Sequence, residues 1–138
     1  MKQEWSREWV SSSQPRKQRK YVYNAPPHVK RKFLSARLSK ELTQRYKRRS
    51  LAVRSGDMVE IMRGTDKGLR GKVEKVNLKA GKVYVAGITV KKVDGSTALK
   101  PVQPSNVRLV DLKVDDKMRA KALSKKLIHP AKEKEGGR

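Results

Sequence analysis

Cysteine is absent from this chain, and histidine occurs only twice, at His28 and His129. The lack of cysteine excludes a disulfide framework, a thiolate nucleophile and a cysteine-bearing metal site. Two histidines so far apart in the chain are a poor basis for a zinc site or a histidine-based catalytic triad. The sequence therefore predicts no catalytic residue, no bound metal and no cofactor.

Long apolar runs are missing as well. No stretch approaches the roughly 18 consecutive apolar residues of a transmembrane helix. The first residues combine Glu4 and Glu8 with Trp5 and Trp9, and so lack the apolar region of a secretory signal. We predict an intracellular, cytoplasmic protein that has no membrane partner and does not form a homo-oligomer.

Acidic residues are few, and they form no recognisable catalytic set. Those of the central region are scattered along the chain, without a convergent nucleophile and base. They are Asp57, Glu60, Asp66, Glu74, Asp94 and Asp111. We interpret them as groups that keep the fold soluble or pair with neighbouring Lys and Arg. The sequence therefore predicts neither an enzyme nor a small-molecule substrate.

Positive charge, in contrast, is in large excess. The chain has 36 Lys and Arg against 13 Asp and Glu, for a formal net charge of +23. Such an excess repels itself and destabilises a compact state unless a polyanion screens it, so nucleic acid is the favoured partner. A freely soluble basic protein is the alternative. The charge is also uneven, because residues 15–50 carry thirteen basic residues and a single acidic one.

Charge and apolar period together divide the chain into three parts. Residues 1–50 are predicted to form a basic extension with two short helices, and residues 51–112 a β-domain. Residues 113–138 are predicted to form a basic amphipathic helix followed by a disordered tail. Met118 and Ala122 share one face of this helix, and Leu123 and Leu127 share another. This helix could lie on RNA or on a neighbouring protein.

The extension contains a basic run at residues 15–20. Residues 15–20 have almost no apolar content, so we predict that they are disordered in water and become an extended arm against folded RNA. A nuclear localisation tract or a solvated charge run is the alternative. Tyr21 and Tyr23 follow directly, and each either packs on the protein or stacks on unpaired bases.

Two short helices are predicted in the rest of the extension. Pro27 suits a first helical turn, and apolar residues recur at helical spacing as far as Leu38. Ser39 can cap a second helix, in which Leu42 and Tyr46 share a face. The basic residues that follow either cap this helix or contact RNA.

From residue 51 onward the apolar period is that of strands. Short segments rich in Val, Ile or Leu are separated by turn residues. They are 58–63, 71–76, 82–86, 99–102 and 107–112. The Asp94-Gly95 pair is a strong hairpin signal. Such short strands suggest a small closed barrel, since closure hides the edges that the strands would otherwise expose.

The turn after the first of these strands is rich in glycine. Gly64, Gly68 and Gly71 lie in or just after it, where a positive φ or a close backbone approach is expected. The segment partly matches a phosphate-binding P-loop. That interpretation is excluded because Asp66 replaces the first glycine and Val73 stands where Ser or Thr should bind magnesium.

The same residues resemble the KOW motif, which occurs in ribosomal proteins and in transcription elongation factors. The matching residues are Gly56, Asp57, Val59, Ile61, Gly64, Lys67, Gly68, Gly71 and Val73. The flanks resemble the family of large-subunit ribosomal proteins numbered twenty-four in the universal scheme. The flanking segments are 15–20, 23–26, 38–42, 48–50, 83–92 and 104–107. The uninterrupted run 67–72 resembles the archaeal form, and residues 1–14 fit neither the archaeal nor the eukaryotic pattern well.

This resemblance implies a mainly β fold, an SH3-like barrel with basic, partly helical extensions. It also implies binding to large-subunit ribosomal RNA near its 5′ end, an early role in assembly, neighbouring large-subunit proteins as partners, and a place near the peptide exit tunnel. The alternative is a KOW-type transcription elongation factor that binds nascent RNA. Such a factor usually brings a second domain, for which this chain has no room.

The predicted RNA contacts are cationic side chains that reach phosphates and 2′-hydroxyls, because the deep, narrow major groove of RNA resists side chains. In the extension they are Arg16, Lys17, Arg19, Lys20, His28, Lys30, Arg31, Lys32, Arg37, Arg48 and Arg49. In the barrel they are Arg63, Lys67, Arg70, Lys72, Lys91 and Lys92. Deletion of residues 1–50 is expected to leave the barrel folded and to weaken RNA binding.

Overall fold

The computed structural model describes residues 4–124 of the chain. The helices are α1 (Pro15–Asn24), α2 (Pro27–Phe33), α3 (Lys40–Tyr46) and α4 (Lys117–Ser124), with short 3-10 helices at Arg7–Ser11 and Pro104–Asn106. The strands are β1 (Ser35–Leu38), β2 (Ser50–Ala52), β3 (Met58–Ile61), β4 (Arg70–Asn77), β5 (Lys82–Lys91), β6 (Thr97–Val102) and β7 (Val107–Asp111). None of the helices within this range is long and apolar enough to cross a membrane.

The seven strands form one sheet in the order β2-β1-β7-β3-β4-β5-β6. All neighbours are antiparallel except β1 and β7, which are parallel. The sheet encloses one apolar core, in which Val59, Val83 and Leu109 are completely buried. The predicted mainly β, barrel-like fold is confirmed. The prediction that the barrel is closed is wrong, because no pairing joins the edge strands β2 and β6 among the described residues.

All five predicted strands are present, and β5 is longer than expected. Its pairing with β6 shifts register between Tyr84 and Thr89. Gly87 lies within this irregularity with a φ of +80°, a conformation that glycine adopts without steric cost. Such a bulge bends a strand and increases its twist, which helps this small sheet to curl around its core.

The prediction that helical structure continues to Leu38 is wrong. Helix α2 ends at Phe33, and β1 follows with Ala36 and Leu38 buried on either side of the exposed Arg37. This alternation is the two-residue period of a strand. The local apolar spacing suits a helix as well as a strand, and pairing with β7 and β2 selects the strand.

The presence of β1 and β2 in the sheet also changes the result that is expected when residues 1–50 are deleted. Removal of residues 1–50 would remove β1 and the core residues Leu34, Ala36 and Leu42. Residues 51–112 are therefore not expected to fold normally alone. The predicted domain boundary at residue 50 stays a proposal. The sheet contains strands from both sides of this boundary, because β1 lies before it and β3 to β7 lie after it.

The predicted cap of α3 is confirmed. The Ser39 hydroxyl accepts a hydrogen bond from the Leu42 N–H at 3.2 Å, which satisfies one of the free donors at the start of the helix. Leu42 is buried, and Tyr46 packs against the core. Lys47 then adopts a left-handed conformation with φ 52°, and the helix ends there.

The prediction that residues 15–20 are disordered or extended is wrong in this structure, because they form the start of α1. Pro15 occupies the first helical turn, and Arg, Lys and Gln have good helix propensity. The Gln18 side-chain amide donates to the Val10 carbonyl at 3.1 Å. The Trp5 indole donates to the Tyr21 carbonyl at 3.2 Å, and the two rings lie 5.3 Å apart. The N-terminal segment thus holds the helix in place.

The predicted C-terminal helix is present as α4, and of its two predicted apolar faces the one that contains Leu123 is buried. Met118 is 73% exposed, whereas Arg119 and Leu123 are buried. Arg119 and Leu123 are four residues apart, so they share one face of the helix. The predicted tail lies outside the described residues.

Candidate nucleic-acid interface

The glycine-rich turn between β3 and β4 is held by backbone hydrogen bonds. The Gly68 N–H donates to the Ile61 carbonyl at 2.8 Å, and the Ile61 N–H donates to the Leu69 carbonyl at 2.9 Å. Gly64 and Gly68 have φ values of +95° and +89°, which confirms the predicted positive φ. The turn presents Lys67 as an exposed side chain.

Gly71 serves a different purpose, because it permits a close backbone approach. A Cβ atom at this position would lie 2.6 Å from the Ala86 carbonyl oxygen and 2.7 Å from a methyl carbon of Val85. No side chain fits so close to a backbone oxygen without a shift of the strands. The close approach predicted from the sequence is therefore confirmed at Gly71.

The extension carries its predicted RNA contacts on several elements. Helix α1 holds Arg16, Lys17, Arg19 and Lys20, α2 holds His28, Lys30, Arg31 and Lys32, β1 holds Arg37, and the α3–β2 connection holds Arg48 and Arg49. Most are exposed and have no ion-pair partner within residues 4–124. These unpaired cations are Arg16, Lys17, Arg19, Arg31, Lys32, Arg37 and Arg49.

Two of the predicted residues contact the protein itself. The Lys20 ammonium lies 4.8 Å from the centre of the Trp9 ring, a cation–π distance. The Arg48 guanidinium donates a hydrogen bond to the Ala122 carbonyl of α4. Arg48 is half-buried, so it also has a structural role, and RNA contact by this residue stays a prediction.

The barrel carries its predicted RNA contacts in two places. Arg63 and Lys67 lie in the β3–β4 turn with Arg70 and Lys72 directly after it on β4, while Lys91 and Lys92 lie where β5 enters the hairpin to β6. All six are exposed. The hairpin is closed by Asp94, which accepts hydrogen bonds from the Ser96 hydroxyl at 2.6 Å and the Ser96 N–H at 2.9 Å. These hydrogen bonds hold the pKa of Asp94 below its usual value.

The predicted residues do not form one cluster. Arg37 and Arg63 line the same groove, although they are far apart in sequence. Arg31 lines a second groove beside α4. Lys30 lines a third groove, which also contains Lys75 and Lys79 of the barrel. The cationic surface therefore extends over several faces of the molecule, as an arrangement that contacts several RNA segments would require.

A buried ion pair is the main feature that the sequence did not reveal. Asp57 is completely buried, and both of its oxygens accept hydrogen bonds from Arg119, at 2.7 and 2.8 Å. The same carboxylate accepts the N–H groups of Arg54 at 2.9 Å and Lys113 at 3.1 Å. The pair thus fastens α4 to the start of β3. Pairing with a neighbouring Arg was expected for Asp57, but nothing in the local pattern singles out Arg119.

Other carboxylates of the barrel are also paired. Glu60 accepts a hydrogen bond from Arg108 at 2.7 Å and has Arg70 at 3.8 Å. The Arg108 hydrogen bond and the charges of both arginines hold the pKa of Glu60 below its usual value, although partial desolvation opposes them. Asp66 pairs with Lys100 at 2.6 Å. Asp57, Glu60 and Asp66 are thus bound to cations of the barrel and of α4, and none of these cations belongs to the predicted RNA contacts of the extension.

The fold and the cationic surface together define the class of protein. It is a small, basic, KOW-type β-barrel protein whose cationic surface is suited to RNA. Residues 12–126 match the family described as the L26 ribosomal proteins of eukaryotes and their archaeal counterparts, which carry the number twenty-four. The chain belongs to this family, which confirms the resemblance seen in the sequence. Membership gives the protein a structural, ribosomal role and confirms that it is not an enzyme.

Two relatives share the name "Large ribosomal subunit protein uL24". The relative from Methanosarcina barkeri is 49% identical over 114 residues, which cover 83% of this chain and 98% of the relative. The relative from Methanospirillum hungatei is 50% identical over 115 residues, which cover 83% of this chain and 96% of the relative. Both organisms are archaea, in agreement with the archaeal form predicted from the uninterrupted run 67–72.

Proposed function

We propose that this protein is a structural constituent of the large ribosomal subunit in the cytoplasm and that it binds large-subunit ribosomal RNA directly. The family and the names of the relatives support the first part. One observation carries the second part: the exposed cations of α1 and α2 have no carboxylate partners within residues 4–124, while carboxylates of the barrel are held by other cations.

The proposed binding mechanism depends on the exposed cations that have no carboxylate partner. Unpaired cations neutralise phosphates and release counterions, so affinity should fall steeply with salt. The barrel is a platform with a buried apolar core, and α1 is an arm that exposes Arg16, Lys17 and Arg19 together with Val22 and Tyr23. Tyr21 packs between Trp5 and Phe33, with ring centres at 5.3 and 5.7 Å. Tyr23 is 81% exposed, so it is the tyrosine available for stacking on an unpaired base.

Finer parts of the proposal are supported by the family resemblance alone. They are contact near the 5′ end of the large-subunit RNA, a role early in assembly, a position near the peptide exit tunnel, and neighbouring large-subunit proteins as partners. A transcription elongation factor is set aside, because the family match includes the flanks as well as the barrel.

The RNA-binding proposal can be tested by measuring affinity for large-subunit RNA at several salt concentrations. The test variant removes three cations of α1, and a matched control removes three exposed cations that are not predicted to contact RNA. The test substitutions are Arg16→Gln, Lys17→Gln and Arg19→Gln. The control substitutions are Arg7→Gln, Arg45→Gln and Lys113→Gln.

The test variant should bind more weakly than the control, and its log–log salt slope should be smaller by about 2, which corresponds to three lost phosphate contacts. Equal slopes for the two variants would contradict the role of α1. A tagged copy of the chain should also sediment with large subunits from a cell lysate. Migration with RNA polymerase instead would refute the ribosomal assignment.

A further inference from the structure

A groove with a volume of about 360 Å³ lies where β1, the start of α3, the β3–β4 turn and β7 meet. Four cationic side chains line it, together with one hydroxyl. They are Arg37, Lys40, Arg63, Arg108 and Ser105. The lining contains no carboxylate among the described residues. We propose that this groove binds the ribose-phosphate backbone of RNA, an inference that rests on the proposed function and gives it a specific site.

The sheet explains why the cations converge. Arg37 is the exposed residue between two buried positions of β1, and its partner across the parallel pairing is Arg108 of β7. Like charges on adjacent strands destabilise a sheet. Arg108 is neutralised by Glu60, whose oxygen lies 2.7 Å away. Arg37 has no such partner among the described residues and is exposed, so its guanidinium is available to an anionic ligand.

Two further cations enter from outside the strand pair. Lys40 is the first residue of α3, and Arg63 begins the turn after β3. Both are exposed, and neither has an ion-pair partner in the part of the chain that the structure describes. With Arg37 they are three uncompensated charges around one concave surface. Such a surface concentrates positive potential and attracts polyanions.

The remaining lining distinguishes an RNA backbone from a free small anion. Met62, which is 37% exposed, is the accessible apolar side chain of the lining, because Leu38 and Val107 beside it are almost completely buried. An RNA backbone alternates charged phosphates with ribose, which has apolar carbons and a 2′-hydroxyl. Cations suit the phosphates, the Met62 side chain suits the ribose carbons, and the Ser105 hydroxyl can hydrogen-bond a 2′-hydroxyl. Leu38 and Val107 belong to the core, so packing supports the floor of the groove.

The experiment compares two double variants of the full chain that lose the same charge. The groove variant is Lys40→Gln with Arg63→Gln, and the control is Arg45→Gln with Lys113→Gln, two cations that line none of the grooves described above. All four side chains are exposed, so both variants should fold, and circular dichroism with a thermal melt checks this. Affinity is measured for a fragment of large-subunit RNA and for a DNA duplex of the same length.

The groove variant should bind RNA about tenfold or more weakly than the control, because hydrogen bonds to charged groups are individually strong. Its loss for DNA should equal that of the control. The conservative variant Lys40→Arg with Arg63→Lys should keep most of the wild-type affinity. Equal RNA affinities for the groove variant and the control, with wild-type binding intact, would overturn the groove and leave the proposed function standing. Failure of the wild-type chain to bind RNA would overturn both.

An NMR titration supplies an independent readout. Addition of the RNA fragment should shift the amide resonances of Leu38, Met62 and Ser105 in the wild-type chain. The groove variant should lose these shifts and retain those of α1. If the three amides are unaffected in the wild-type complex, RNA lies elsewhere and the groove proposal is wrong.

Discussion

The sheet and helix α1 use their side chains in opposite ways. The sheet buries a continuous apolar core, with Val59, Val83, Val85 and Leu109 each at 0% exposure. Helix α1 has no buried residue and is held by a few contacts with the N-terminal segment. Burial of apolar side chains is the main source of folding free energy, so the free energy of unfolding is concentrated in the sheet. Helix α1 instead exposes the cations Arg16, Lys17 and Arg19.

The sheet region and helix α1 also differ in how their charged side chains are paired. In the sheet region, Asp57, Glu60 and Asp66 are each bound to an Arg or Lys. Helix α1 contains no acidic residue to pair with its cations. The comparison teaches that stability and RNA affinity should be separable by substitution, since they depend on different residues.

The substitution with the largest expected effect on the free energy of unfolding removes the buried carboxylate of Asp57. Asp57→Ala leaves Arg119 buried without its partner and two backbone N–H groups without an acceptor, so it should cost about 3–5 kcal/mol of unfolding free energy. The matched control Glu74→Ala removes an exposed carboxylate of β4 and should change stability by less than about 0.5 kcal/mol. Urea unfolding measures both. Similar small effects would mean that α4 is not fastened by this pair.

The next test concerns the close approach of β4 to β5. Gly71→Ala places a methyl group against the Ala86 carbonyl and should cost up to about 3 kcal/mol. Gly68→Ala meets no atom within 4 Å and should cost only about 1–2 kcal/mol, because the strain there is that of a positive φ.

Asparagine sharpens this distinction between the two glycines. It tolerates a positive φ better than alanine does, so Gly68→Asn should be milder than Gly68→Ala. Gly71→Asn should be at least as harmful as Gly71→Ala, because the obstacle there is space. Thermal melts of the four variants measure the difference, and equal behaviour of the two sites would contradict the assignment of Gly71 to close packing.

A smaller effect is expected where α1 meets the N-terminal segment. Trp5→Ala removes the ring contact with Tyr21 and the hydrogen bond to its carbonyl. Local opening of α1 should become easier, while the global free energy of unfolding should change by less than about 1 kcal/mol. Hydrogen exchange should show faster exchange for amides of α1 and unchanged protection in β3 and β7. A large global loss would show that α1 belongs to the same folding unit as the sheet.

The smallest expected effect is the pH dependence of the sheet. Arg108 lowers the folded-state pKa of Glu60, and the Arg54 hydrogen bond, with the Met118 N–H, lowers that of Asp116. Their contributions to stability are therefore present above the ordinary carboxyl pKa and are lost as pH falls through the lowered folded-state values. Glu60→Gln should reduce this acid dependence. Urea midpoints across the acid range measure it, and an unchanged profile would contradict the role of Glu60.

Several local features were predictable because their causes lie within a few residues. The Ser39 cap depends on an N–H three positions away, and the positive φ of Gly64 and Gly68 is set by a tight turn. The period of two in residues 58–63 and 107–112 reflects one buried face. The basic composition and the motif around Gly71 also identified the class of protein.

The structured start of α1 was not predictable from the charge run alone. A helix of this length is marginal in water, and the contacts that hold it come from residues 5–12, which match no part of the motif. Likewise β1 has an apolar spacing that suits a helix or a strand. Its pairing with β7, distant in sequence, decides between them.

By itself the sequence determined the excess of positive charge, the glycine-rich turn and the β-period, because each of these depends on composition or near neighbours. The tertiary structure decided that Asp57 meets Arg119 and that Arg37, Lys40 and Arg63 surround one groove. Those contacts join residues far apart in the chain, and only the pairing and burial of the whole sheet bring them within reach.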